Sequence, residues 1–325
     1  MFGITTENKN KNRVKYKSMM FKNTVKLLCA NFDKVWKLLV YHVLCIGVYV
    51  AFLAIFHEFY IEAFNVAFAE AEVANIFHSG TFYGSTIANA LTSIVDFVLI
   101  FFREIFANVW IGLYFCLFTF YIFPLTINIG KVVICEMMYG YMSSCQKQSF
   151  TGTFLKTLKT SLAYSSLKVL YALPFNALIC LSMWGLTRID NQIFDYIMPF
   201  AFVIVPSLLI AFKETFNVGW APAKVVYNHN IVSSYYIGMR AGLRRGARVF
   251  STAFIIYLLA IVLSIVLGLY AIIIILPILS PTVYIFEMVV FFSSQGMRFY
   301  VDNDTILSPK RLEENDKIED AKYIL

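Results

Sequence analysis

The chain has 325 residues, 59% of them apolar and only 14% charged, with a formal net charge of +7. Soluble domains carry about 45–50% apolar and about 25% charged residues. These figures exclude an ordinary soluble protein, a disordered chain and a disulfide-rich secreted module, and they point to several membrane spans with little chain left for a soluble domain.

Residues 1–20 form a Lys/Asn-rich leader, and a basic, partly amphipathic stretch, FKNTVKLLCANFDKVWKLL, starts at Phe21. A membrane-crossing helix needs roughly 20 mainly apolar residues, because a bilayer core is about 30 Å thick and a helix rises about 1.5 Å per residue. Six segments approach that length: Leu38–Phe56, Ile105–Ile129, Val169–Leu186, Ile197–Phe212, Phe250–Leu276 and Ile278–Phe292. The last is short and contains Glu287. The first reads as a retained signal-anchor, since its polar leader and its apolar run are both too long for a cleaved signal peptide.

Residues 57–92 are expected to form the large outer loop. Its opening, HEFYIEAFNVAFAEAEVANIF, reads as an acidic amphipathic helix at the surface, broken by GTFYGST. Ile94–Phe102, apolar apart from Asp96, either extends the second span outward or forms a short re-entrant piece. After Asp302 the tail is mostly charged and is expected to be disordered or weakly helical. The expected plan is a leader over 1–20, a transmembrane domain over 21–300 and a charged cytoplasmic tail over 301–325.

Charge sets the orientation. Of 27 Lys and Arg, all but Arg103 and Arg188 fall in segments that six spans place on one side, while Glu58, Glu62, Glu70, Glu72, Asp96, Glu104, Asp190 and Asp195 fall on the other. By the positive-inside rule both termini are cytoplasmic. The excess of positive charge is thus an orientation signal and does not imply nucleic-acid binding. Composition rich in Lys, Asn, Phe, Tyr and Ile suggests an AT-rich bacterial genome, hence a bacterial plasma membrane. None of the six cysteines falls in an outer loop and no CxxC pair exists, so neither disulfides nor a zinc or redox motif is expected.

An internal repeat is suggested. The stretch from Phe21, FLKTLKTSLAYSSLKVL from Phe154 and MRAGLRRGARVF from Met239 each precede a pair of spans. They align Val25-Lys26, Leu158-Lys159 and Leu243-Arg244, and the second span of each pair carries a proline at Pro124, Pro206 or Pro281. The alternative is that any cytoplasmic juxtamembrane segment looks basic and amphipathic. The stretch GWAPAKVVYNHNIVSSYYIGMRAGLRRGARVF, Gly219–Phe250, resembles a pattern of uncharacterised polytopic bacterial membrane proteins. It is also similar to the membrane domain associated with some glycerophosphoryl diester phosphodiesterases. The resemblance implies an all-α polytopic bundle; with no phosphodiesterase barrel in the chain, it implies no catalytic residue.

Arg240, Arg244 and Arg248 recur every four residues, which places them on one helix face with Arg245 beside it. Such a face attracts anionic lipid head groups or a partner protein, and it also serves as a plain topology determinant. Glu287 is an intramembrane acid that either carries a proton or cation or pairs with a nearby base. Lys131, Glu136, Lys213 and Glu214 sit at inner span ends, where long side chains snorkel to water. Pro124, Pro174 and Pro206 kink spans, and Asn128 and Asn176 are placed to bond freed carbonyls. His57, Glu58, Glu62 and His78 have the wrong order for HExxH, and His42 and His229 have no evident partner. Trp36, Trp110, Trp184 and Trp220 read as interfacial anchors. Neither a nucleotide-binding loop, GxSxG, a selectivity-filter sequence nor a calcium loop is present, and no cofactor or metal is expected. Three readings of function follow in order: a non-enzymatic protein binding lipid or a membrane partner through basic cytoplasmic helices, a permease or transporter component, and a membrane enzyme acting on lipids.

Overall fold

The computed structural model describes the backbone of residues 20–71, 84–186, 192–267, 270–301 and 306–307. It describes side chains across most of these, except 84–92, 192–196, 198–199, 265–267, 270–274, 276–278 and 307. Almost all of it is helix. The elements are α1 (20–30), α2 (Phe32–Leu53), a 3-10 turn (Ala54–Phe56), α3 (His57–Glu70), α4 (Gly84–Ala107), α5 (Val109–Cys116), a π-helical stretch (Leu117–Ile122) and α6 (Phe123–Ser144). There follow α7 (Phe150–Leu186), α8 (Gln192–Asn217), α9 (Trp220–Tyr227), α10 (Ile231–Arg244), α11 (Gly246–Leu267) and α12 (Tyr270–Ser294). The described residues end in a two-residue antiparallel ladder, β1 (Phe299–Tyr300) pairing with β2 (Ile306–Leu307), where the charge pattern suggests a disordered or weakly helical tail; the tail beyond Leu307 lies outside the described residues.

Among the described residues, five helical stretches are long and apolar enough to cross a membrane: Phe32–Glu70, Val109–Ser144, Phe150–Leu186, Phe200–Tyr227 and Gly246–Ser264. A shorter apolar stretch, Leu279–Ser294, ends α12. Two sequence boundaries move. The segment from His57, read as an amphipathic helix opening an outer loop, is helical in α3, but α2 runs into it through the 3-10 turn instead of ending at Phe56, and α4 packs back against α3. The expected start of the second span, Ile105, belongs to α4 instead. The break comes at Asn108, whose extended backbone leaves the helix while its Oδ1 accepts the N–H of Trp110 at 3.1 Å and of Ile111 at 3.5 Å. A side-chain acceptor of this kind satisfies the unpaired donors of a new helix, which apolar periodicity alone does not reveal.

The stretch Val109–Ser144 is continuous through Pro124. Proline has no N–H to give, and the widened π-helical turns just before it absorb the missing bond. Asn128 Nδ2 donates to the Pro124 carbonyl at 2.7 Å. α6 then ends at Cys145, whose left-handed backbone (φ 57°) turns the chain into α7.

Packing is concentrated at the end of the bundle where α6 and α7 are joined. There Val132, Val133, Ile134, Met138, Tyr141 and Met142 of α6 are buried on every side, against Leu27 of α1, Leu38 of α2, Tyr164 of α7, Trp220 of α9, Ala241 of α10 and Ile285 of α12. At the opposite end α2, α5, α7 and α11 carry large exposed apolar side chains, including Val43, Leu44, Leu113, Leu181, Ile255 and Leu259. An apolar surface of that extent fits a lipid environment.

Candidate functional site

Four helices bring ionisable residues to one level of the bundle. At about 1.5 Å per residue, Lys131 lies roughly 33 Å along its helix from Val109, Lys168 roughly 27 Å from Leu186, Glu214 roughly 33 Å from Gln192 and Glu287 roughly 26 Å from Tyr270. These reference ends all lie at the end of the bundle opposite the α6–α7 turn, so the four groups form a layer just beneath the packed core.

At its centre, Lys131 Nζ lies 2.6 Å from both carboxylate oxygens of Glu287 and donates its hydrogen bond to Oε1. The two side chains are 1% and 3% exposed, and Lys131 also sits 5.6 Å from the Tyr284 ring centroid. Lys131 therefore does not snorkel to water; it neutralises the buried acid. Lys168 Nζ donates to Asn128 Oδ1 at 2.7 Å, which uses the oxygen of the same amide that serves Pro124. Glu214, 14% exposed, faces a cavity of about 20 Å³ that Glu287, Tyr257, Val249, Ala253 and Phe286 also line. Its nearest ammonium, Lys213 on the same helix, is 4.0 Å away. Glu136 is used separately, pairing with Lys156 across the α6–α7 hairpin at 3.0 Å.

The arginine face divides. α10 ends at Arg244 and α11 starts at Gly246, with Arg245 as the joint, so Arg240, Arg244 and Arg248 do not share one helix as their spacing suggests. Arg245 is buried and its Nη2 donates to the Ser293 carbonyl at 2.6 Å, capping the end of α12. Arg240 and Arg244 are exposed, while Arg248 is half-buried at the start of α11. The buried face of α10 is made of Ser234, Gly238, Ala241 and Gly242. Its outer face carries Val232, Tyr236 and Leu243 at 59%, 62% and 49% exposure, alongside Arg240 and Arg244.

Other expected residues are dispersed. His57, Glu58 and Glu62 are exposed on α3, and His57 and Glu62 point roughly 140° apart on a helix of 3.6 residues per turn. His78 lies outside the described residues. Among those described, no group of three His, Cys, Asp or Glu is arranged to hold a metal. His42 is fully buried in α2 beside Tyr41. His229 is exposed, its carbonyl accepting Lys224 Nζ at 2.7 Å. Trp36, Trp110 and Trp184 are exposed, but Trp220 is core: its Nε1 donates to the Ile231 carbonyl at 2.9 Å and its ring packs on Tyr164 and Tyr235.

The sequence placed Glu287 among apolar residues and left open its pairing with a base, without marking Lys131 as that base. Glu214 was read as a span-end residue and Lys168 was not singled out, and nothing local in FKETF or SSLKV marks them as neighbours of a residue far along the chain. The one available signal was that α6, α7, α8 and α12 each carry a charge at a similar depth.

No family model, no curated protein and no solved structure matches the chain.

Proposed function

We propose that the chain is a six-span protein of a bacterial plasma membrane, with both termini cytoplasmic and α12 as the sixth span, and that it binds anionic lipid head groups through α10. The outer face of α10 carries the argument. Side chains of Val232, Tyr236 and Leu243 stand exposed in a stripe beside Arg240 and Arg244. An exposed helix face that mixes aromatic, aliphatic and basic residues suits the head-group layer, where the apolar groups enter the acyl boundary and the cations meet phosphate. Neither water nor hydrocarbon suits both kinds. The likeness of Gly219–Phe250 to bacterial polytopic proteins supports the same reading, as do the matching basic stretches at Phe21 and Phe154 that a threefold repeat would explain. Arg245 leaves the lipid-binding set because it serves the joint between α10 and α11.

The test is native mass spectrometry of protein purified in mild detergent with mixed phosphatidylglycerol and phosphatidylcholine. Wild type should retain phosphatidylglycerol preferentially. Since a basic residue near an anionic surface contributes about 1 kcal/mol, Arg240→Ala/Arg244→Ala should weaken that preference roughly 30-fold. An unchanged preference in a folded double variant sinks the proposal. A second reading, a transporter component, is favoured by the ionisable layer around Glu287. A membrane protein partner at α10 would appear in the same purification as a stoichiometric second chain.

A further inference from the structure

One carboxylate of the ionisable layer, Glu214, is compensated by the charges of Lys168, Lys213 and Lys131 and not by a hydrogen bond. Lys131 is committed to Glu287 and Lys168 to Asn128. Glu214 accepts no hydrogen bond from any described residue, and Lys213 adjoins it in sequence, a spacing at which helical side chains do not face each other. Across the cavity, Oε2 of Glu287 accepts no hydrogen bond of its own, although the side chain is 3% exposed. Two carboxylates from α8 and α12 thus meet in one space of about 20 Å³, enough for a single water. The remaining walls, apart from the Tyr257 ring, are Val218, Val249, Ala253, Ile256, Val283 and Phe286.

We propose that Glu214 and Glu287 form a proton-binding pair, in which a proton entering the cavity competes with Lys131 for the Glu287 carboxylate. The proton comes from water at the partly exposed edge where Glu214 and Lys213 lie. One O–H bond of a hydronium ion breaks, leaving water, as one O–H bond forms to a carboxylate of the pair; the new hydroxyl donates a hydrogen bond towards the other carboxylate, and the hydrogen bond from Lys131 is given up. Two carboxylates that line one cavity favour sharing a proton, while opposing ammonium groups favour full ionisation. The groups that set this balance are Lys131 and Cys135 on α6, Tyr164 and Lys168 on α7, Lys213 on α8, Tyr257 on α11 and Tyr284 on α12. Fully ionised, Lys131, Lys168, Glu214 and Glu287 are neutral as a set; with the proton bound the set carries one positive charge. Uptake of a proton therefore loosens the clamp between α6 and α12, the two-state element a coupled transporter requires. This inference deepens the transporter reading and is independent of lipid binding at α10.

The test is infrared difference spectroscopy of the full-length protein in detergent, titrated with acid at constant sodium and, separately, with sodium at constant pH. Wild type should show a protonated-carboxyl band equal to one group per chain that Glu214→Gln abolishes. Glu287→Gln leaves Lys131 unpaired, so Lys131→Gln/Glu287→Gln is the paired variant, and it too should lose the band. A wild-type band that Glu214→Gln leaves unchanged overturns the proposal. So does a site signal that follows sodium concentration instead of pH, which would make the ligand a metal cation.

Discussion

Lys131 and Glu287 show how much a single buried charge pair decides. Removing two charges from water costs several kcal/mol each, and their attraction repays this only while both are present. Lys131→Met should therefore destabilise the protein by about 3–5 kcal/mol, because it strands Glu287. Lys131→Met/Glu287→Met should recover most of that loss. Thermal unfolding in detergent, followed by near-ultraviolet circular dichroism, measures both; equal melting of the single and double variants would contradict the pairing. At this scale the sequence was half legible. Glu287 stands out in an apolar run, but Lys131 lies 156 residues away and looks like any span-end lysine.

The joints between α8, α9, α10 and α11 are the informative elements. Gly219 and Gly238 bring two backbones into direct contact: a Cβ at either would overlap the other's backbone atoms. Gly242 would likewise meet the Thr215 carbonyl. Hydrogen in place of a methyl is what lets α10 lie flat on the end of α8 and present Arg240 outward. Gly238→Ala should force the helices apart and lower the yield of folded protein several-fold in size-exclusion chromatography. Gly246→Ala, which meets no atom within 4 Å, should not. Similar losses in both would mean the contact has no special role. Periodicity placed Arg240, Arg244 and Arg248 on one continuous helix because it counts spacing and sees no chain break. Arg245 ends that helix through a bond to Ser293, a contact with α12 that no local pattern encodes. The apolar segments themselves were easily read, since apart from the break at Asn108 every one of them lies in helix wherever the backbone is described.

Seen whole, the molecule has two kinds of helix that hydropathy treats alike. Val109–Ser144 is 36 residues long, about 54 Å at 1.5 Å per residue, against a bilayer core of about 30 Å. Its second half is buried in protein, whereas its first half is mostly half-buried with Val109, Trp110, Leu113, Leu117 and Phe120 exposed, so only that half presents an apolar face that suits lipid. Sequence reading ended this span at Ile129, where the charge of Lys131 intervened, and so lost the packed half that forms the core. Orientation is tested at the same scale. A variant retaining Cys29 alone should resist a membrane-impermeant maleimide in intact cells and react after permeabilisation. A cysteine-free variant carrying Asn108→Cys should react in intact cells. The opposite pattern would reverse the orientation.

The same ion pair has a consequence for biosynthesis. Lys131 leaves the ribosome 156 residues before Glu287 does. At about 5–20 residues per second that interval is on the order of ten seconds. For that time the nascent chain holds an unneutralised lysine among apolar helices. The last of the described helices to be made thus completes a charge pair begun in α6, and a product truncated before α12 carries an exposed defect by which quality control can recognise it.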